Sequence, residues 1–172
     1  MNAKFAMALA MLGLGQCAVA QAAEPTRCLS VAQAEALVTY LLPKAVDASR
    51  QKCSASLPAT SPLMVANSER LAKYRSASET SWPQAKNAVK LLAGANFPTE
   101  MEDSLLRPVA DALFTQLIGQ EIKPKDCALI DKIYGDLAPS PSANLASLAV
   151  TIVQATTKED KAQTIPICKI PA

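Results

Sequence analysis

The sequence predicts an all-α protein: a single irregular bundle of five to seven helices with proline kinks, stapled by two disulfides. Three observations lead there. Apolar residues recur at helical spacing along nearly the whole chain, and no strand-like alternation survives beyond a few residues. Glycine is scarce, 5 among 172 residues, while 12 prolines interrupt otherwise helical runs. Four cysteines lie beyond the N-terminal leader, an even number suited to two cross-links.

The elements follow in order. Residues 1–22 read as a cleaved signal peptide: one positive charge at Lys4, an eleven-residue apolar run from Phe5 to Gly15, and Ala20-Gln21-Ala22 as an A-x-A site. The apolar run is about half the roughly 20 residues that a membrane span needs. Cys17 is expected to leave with the leader, because the polar Gln16 before it does not suit lipoprotein processing. Residues 23–172 then form one helical domain with an irregular tail from about residue 157. At 150 residues that domain buries roughly 68–70% of its unfolded surface and can build its own core.

Ser30-Val31-Ala32-Gln33 is a capping box, and Val31, Ala34, Val38, Leu41 and Leu42 continue a helix that Pro43 should kink or split before Cys53. A second helix is expected over about Leu63–Ser78, with Glu69 and Lys73 as an i,i+4 pair. Ser81-Trp82-Pro83-Gln84 has the form of another helix start, so a third helix is expected from there to Gly94. Thr99-Glu100-Met101-Glu102 opens a fourth, whose apolar stripe Met101, Leu105, Val109, Leu113, Leu117 runs at strict i+4 spacing and which Pro108 should bend. A fifth opens at Lys123-Pro124-Lys125-Asp126, carrying Cys127, Ile130, Ile133, Tyr134 and Leu137 until the Pro139–Ser142 break. The sixth should take Leu145, Leu148, Ala149, Ile152 and Val153 inward.

In an exported chain Cys28, Cys53, Cys127 and Cys168 read as two disulfides. No C-x2–4-C interval and no histidine support a metal site. Cys28 and Cys53 flank one helical stretch, roughly 37 Å apart if it is continuous, so they should not pair with each other. An up-and-down bundle places Cys127 near Cys28 and lets the tail reach Cys53. That favours Cys28–Cys127 with Cys53–Cys168 over the crossed alternative.

Chemistry is bounded mostly by exclusion. Without histidine, Ser–His and Cys–His nucleophile pairs cannot form within the chain. There is no Walker loop, G-x-G-x-x-G, C-x-x-C or calcium loop, so no cofactor and no metal is expected. Past the leader, 16 basic residues face 15 acidic ones with no basic block, which argues against nucleic acid and membrane-surface partners. The small basic group Lys123, Lys125 and Lys132 reads as solvated charge. Glu100, Glu102, Asp103 and Asp111 are the candidates for a carboxylate pair of the glycosidase kind. Helix-dipole acids and an Asp103–Arg107–Asp111 surface ladder explain them more simply. Trp82, the sole tryptophan, is a candidate interface anchor, with packing at a bundle end as the commoner role. Tyr40, Tyr74 and Tyr134 sit at apolar helical positions, as the rim of a core.

The segments CLSVAQAEAL, Cys53-Ser-Ala-Ser-Leu-Pro58 and EIKPKDCALIDKIYGDLAP resemble uncharacterised exported four-cysteine helical proteins of alphaproteobacteria. The resemblance covers most of the domain. It implies a Gram-negative periplasmic or secreted setting and brings no catalytic residues with it. The expected function is a non-catalytic binding or interaction protein whose partner is another envelope protein. A periplasmic stress chaperone is the alternative, and a carboxylate-dependent hydrolase stands third.

Overall fold

Ser30 starts the bundle as the capping box requires. Its Oγ accepts from the Gln33 amide at 3.2 Å, while Gln33 Oε1 accepts from the Ser30 amide at 2.9 Å. The computed structural model describes residues 28–65, 68–94, 103–156 and 166–168. Five helices account for most of these: α1 (Val31–Cys53), α2 (Ser68–Ala93), α3 (Asp103–Glu121), α4 (Cys127–Leu137) and α5 (Ser142–Thr156). A 3-10 turn over Pro124–Asp126 leads into α4. Among the described residues the only β pairing is a single parallel bridge between Leu29 and Ile167. No helix among them is long and apolar enough to cross a membrane.

Of the kink or split expected at Pro43, the split does not occur, and α1 is continuous through it, as α3 is through Pro108. The helix start expected at Pro83 is corrected, since Pro83 lies inside α2. Ser81 explains that error. A capping serine points its oxygen at an amide two or three residues ahead, but Ser81 Oγ instead donates backwards to the Ser78 carbonyl at 3.0 Å. That is the rotamer of a mid-helix serine. The helix expected from Leu63 begins later, at Ser68, because Leu63 and Val65 belong to a turn closed by Val65 N to Ser61 O at 2.9 Å. The C-terminal signal at Gly94 is correct: α2 ends at Ala93, and Gly94 takes φ 63°, the left-handed conformation that suits glycine. The Thr99–Glu102 capping box lies outside the described residues.

Merging two expected helices into α2 removes one reversal of direction, and this overturns the expected disulfide pairing. α1 runs from the Cys28 end of the bundle to the Cys53 end. α2 returns, since Tyr74 packs with Cys53 and Val89 packs with Leu29. α3 travels out again, from Leu106 in the Leu29 cluster to Gly119 beside Lys52. Cys127 therefore arrives at the Cys53 end rather than the Cys28 end. The bridges are Cys53–Cys127, with α-carbons 5.5 Å apart, and Cys28–Cys168, 5.0 Å apart. α5 makes the last return and leaves the tail where Leu29 N donates to Pro166 O at 2.7 Å and Cys168 N to Leu29 O at 2.8 Å. In the chain-entropy account, loops closed over 140 and 74 residues are each stabilised by about 4–5 kcal/mol.

The core lies in two clusters along α1. One joins Leu29, Leu37, Ala88, Leu106 and Val150; the other joins Val46, the buried Cys53–Cys127 bridge, Leu63, Leu71 and Tyr134. α1 is the common floor, packed by α2, α3 and α5. If α2 is one helix, Pro83→Ala restores a missing amide donor in its interior. The variant should gain about 1–2 kcal/mol in chemical denaturation. A loss would mean that Pro83 starts a helix after all.

Candidate functional site

Two sites emerge from the packing, one polar and one apolar. The polar one is built where α1, α2 and α3 meet. Tyr40 is fully buried and donates its hydroxyl to Asp111, which also pairs with Lys44 at 3.0 Å. Arg107 reaches across to Glu79 on α2 and lies 5.5 Å from the centre of the Trp82 ring. Trp82 in turn packs on Tyr40, ring centres 4.8 Å apart, and Lys44 sits 4.5 Å from the centre of the Tyr40 ring. Trp82 is thus a half-buried packing residue, not a free anchor. The expected Arg107–Asp111 surface ladder is also corrected: both charges turn to neighbouring helices. Glu100 and Glu102, and the side chain of Asp103, lie outside the described residues.

Every shifted group in this cluster is moved further from titrating at pH 7. Arg107 bound to Glu79 holds that carboxyl below its ordinary range and is itself held charged. Burial, and then the Asp111 carboxylate, push the Tyr40 phenol far above its usual value of 10.0. The cluster locks three helices together, and none of these three groups is poised to exchange a proton near pH 7.

The polar contacts also decide which way α3 faces. Residues two apart on a helix point about 200° apart. Turning Arg107 and Asp111 toward α1 and α2 therefore turns Leu105, Val109 and Leu113 outward. α3 packs instead through the neighbouring row, Leu106 and Ala110, with Phe114 partly buried behind them. The i+4 stripe is solvent-facing: Leu105 is 59% exposed, Leu113 49% and Leu117 47%.

The apolar site is an open groove of about 280 Å³ with α1 as its floor and α4 and α5 as walls. Each helix contributes an i, i+3, i+4, i+7 face. α1 gives Leu42, Ala45, Val46 and Ser49; α4 gives Ile130, Ile133, Tyr134 and Leu137; α5 gives Leu145, Leu148, Ala149 and Ile152. This corrects the expectation for the last helix. Its periodic residues do face a common apolar surface, but Leu148 and Ile152 remain exposed, and the chain buries Ala146 and Val150 instead. Val153 is exposed as well.

α4 is placed by three contacts along its length. The Cys53–Cys127 bridge ties its first residue to the last residue of α1. Asp131 Oδ1 accepts from the Leu63 amide at 2.7 Å. Gly135 lies so close to the Pro62 ring that an added Cβ would sit 3.3 Å from it. α5 meets the same cluster through Leu145, and among the described residues the groove stays open between α4 and α5. At the closed end Tyr74 donates to the Ala138 carbonyl at 3.0 Å. The buried Tyr134 hydroxyl finds no hydrogen-bond partner among the described residues.

The groove was not visible as such in the sequence, although each of its three faces is. The periodicity reports that a face is apolar, not which chain covers it. Among the described residues no group of three or more metal-ligating side chains forms. No family model, curated protein or solved structure matches this chain.

Two measurements test this geometry. Because the folded-state pKa of Tyr40 is raised, its contribution is full below pH 10 and declines as pH rises past the unfolded value. Its phenolate absorbance should therefore appear only together with loss of helical circular dichroism. Ionisation near pH 10 with the helices intact would contradict the buried Tyr40–Asp111 contact. Tyr134→Phe removes a buried hydroxyl without a partner and should be neutral or stabilising by up to about 1 kcal/mol in thermal melts.

Proposed function

We propose that this chain is an exported, non-catalytic binding protein of the bacterial envelope, and that the α1–α4–α5 groove receives an amphipathic helix of a partner envelope protein. One observation carries the reading. Three helices each present a largely apolar face to one groove, and the described residues leave it open. A helical protein that needed those faces only for its own core would close them on each other.

The size and chemistry of the groove favour a helix over a small polar ligand. Small-molecule sites usually enclose about 300–1,000 Å³ with a few polar groups to fix orientation. Here the opening is smaller, and nearly all of its lining is aliphatic or aromatic. A cavity of about 150 Å³ accommodates a benzene-sized group, so this groove suits two large side chains presented one helical turn apart. α5 adds that it has no charged residue in its fifteen, the composition of an interface centre rather than of a solvated helix. Export rests on the leader-like n-region and apolar run, with the disulfides in keeping.

The stress-chaperone reading keeps one observation in its favour. Apolar exposure extends past the groove to Leu105 on α3 and Leu129 on α4, as a surface for unrelated clients would. A photo-crosslinking residue at Ile152 separates the two. The binding reading predicts one dominant adduct in envelope preparations, abolished by Ile133→Asp. Many adducts insensitive to that substitution would support the chaperone, and no adduct at all would remove the docking role.

A further inference from the structure

We infer that the resting occupant of the groove is α3 of a second copy of this chain, so that the protein self-associates stripe to groove and a partner helix must displace it. This rests on the groove being a helix-docking site and adds what fills it in the absence of a partner.

The chain carries both halves of such a contact. The groove asks for a helix that offers large aliphatic side chains one turn apart and brings no charge with them. α3 offers that on its outward side. Leu105, Val109, Leu113 and Leu117 follow one another at i+4 spacing, each between 44% and 59% exposed. No charged residue occurs between Asp111 and Glu121, so the C-terminal half of the stripe, around Leu113 and Leu117, is charge-free. The facing wall, α5, is charge-free throughout. Contact between that part of the stripe and α5 strips water from no ion; the other wall, α4, carries Asp131, Lys132 and Asp136.

The groove is shorter than the stripe. An eight-residue face such as Leu42–Ser49 spans roughly 10 Å along the groove at 1.5 Å per residue. The stripe from Leu105 to Leu117 spans roughly 18 Å by the same rise. Two or three of its four side chains therefore enter one groove, with Leu113 central. The stripe and the groove lie on different faces of one molecule, because α3 turns its Leu106–Ala110 row to the core and its stripe to solvent. A molecule cannot fill its own groove with its own stripe. The contact joins a stripe on one copy to a groove on another, so reciprocal exchange closes a dimer and one-way exchange builds a larger ring or an open chain.

Self-association of the disulfide-intact chain without its leader, measured by sedimentation velocity over a dilution series, tests this. The expected result is a dimer or larger species that dissociate on dilution. Leu113→Glu, which spoils only the stripe, and Ile152→Glu, which spoils only the groove, should each leave the protein monomeric on its own. Mixing the two variants should give a one-to-one heterodimer and nothing larger, since one intact stripe and one intact groove remain. Circular dichroism melts of both variants confirm that they are folded before mixing. A wild-type chain that stays monomeric at high concentration would overturn the inference, and so would two folded variants that fail to combine. In either case a persistent Ile152 adduct with another protein would leave the docking role intact, whereas losing both would remove the groove as a binding site.

Discussion

The Cys53–Cys127 bridge is the constraint from which the rest of the architecture follows. It joins the last residue of α1 to the first residue of α4 and is itself almost wholly buried among Val46, Leu63, Leu71 and Tyr134. That link fixes where the start of α4 meets the end of α1. The Asp131–Leu63 hydrogen bond and the close approach of Gly135 to Pro62 hold it in the same place. The second bridge does different work. Cys28–Cys168 closes the chain at the opposite end, tying the start of α1 to the tail beyond α5. Each end of the bundle therefore has its own cross-link, and the groove lies between the elements they position.

A polar lock complements the bridges. Tyr40, Asp111, Lys44, Arg107, Glu79 and Trp82 come from three helices and satisfy one another. Most exposed ion pairs contribute little, but Tyr40 is buried, and its contact with Asp111 sets the rotation of α3. That rotation leaves the leucine stripe outside. The same few residues thus stabilise the fold and decide which surface it shows.

Most of the helices were legible in the sequence because capping and periodicity are local. Ser30 and Gln33 announce α1, and Gly94 announces the end of α2. Pro83 misled because Ser-x-Pro-Gln reads alike at a helix start and in a helix interior; only the hydrogen bond of Ser81 tells them apart. That local ambiguity had a global consequence. One extra helix reverses the direction of everything after it, which sends Cys127 to the wrong end and exchanges the disulfide partners. The groove was half legible. The faces of α4 and α5 stand out in the sequence, but an apolar face looks the same whether its cover lies in the same chain or in another. The outward turn of α3 was not legible at all, since it depends on Arg107 and Asp111 finding partners on α1 and α2.

The path of the chain positions every surface of the bundle, and its direct measurement is a disulfide map of the protein digested without reduction. The fold described here yields one linked peptide pair containing Cys53 and Cys127 and another containing Cys28 and Cys168. Linkage of Cys53 to Cys168 would place α4 at the other end of α1, and the groove between α4 and α5 would not exist.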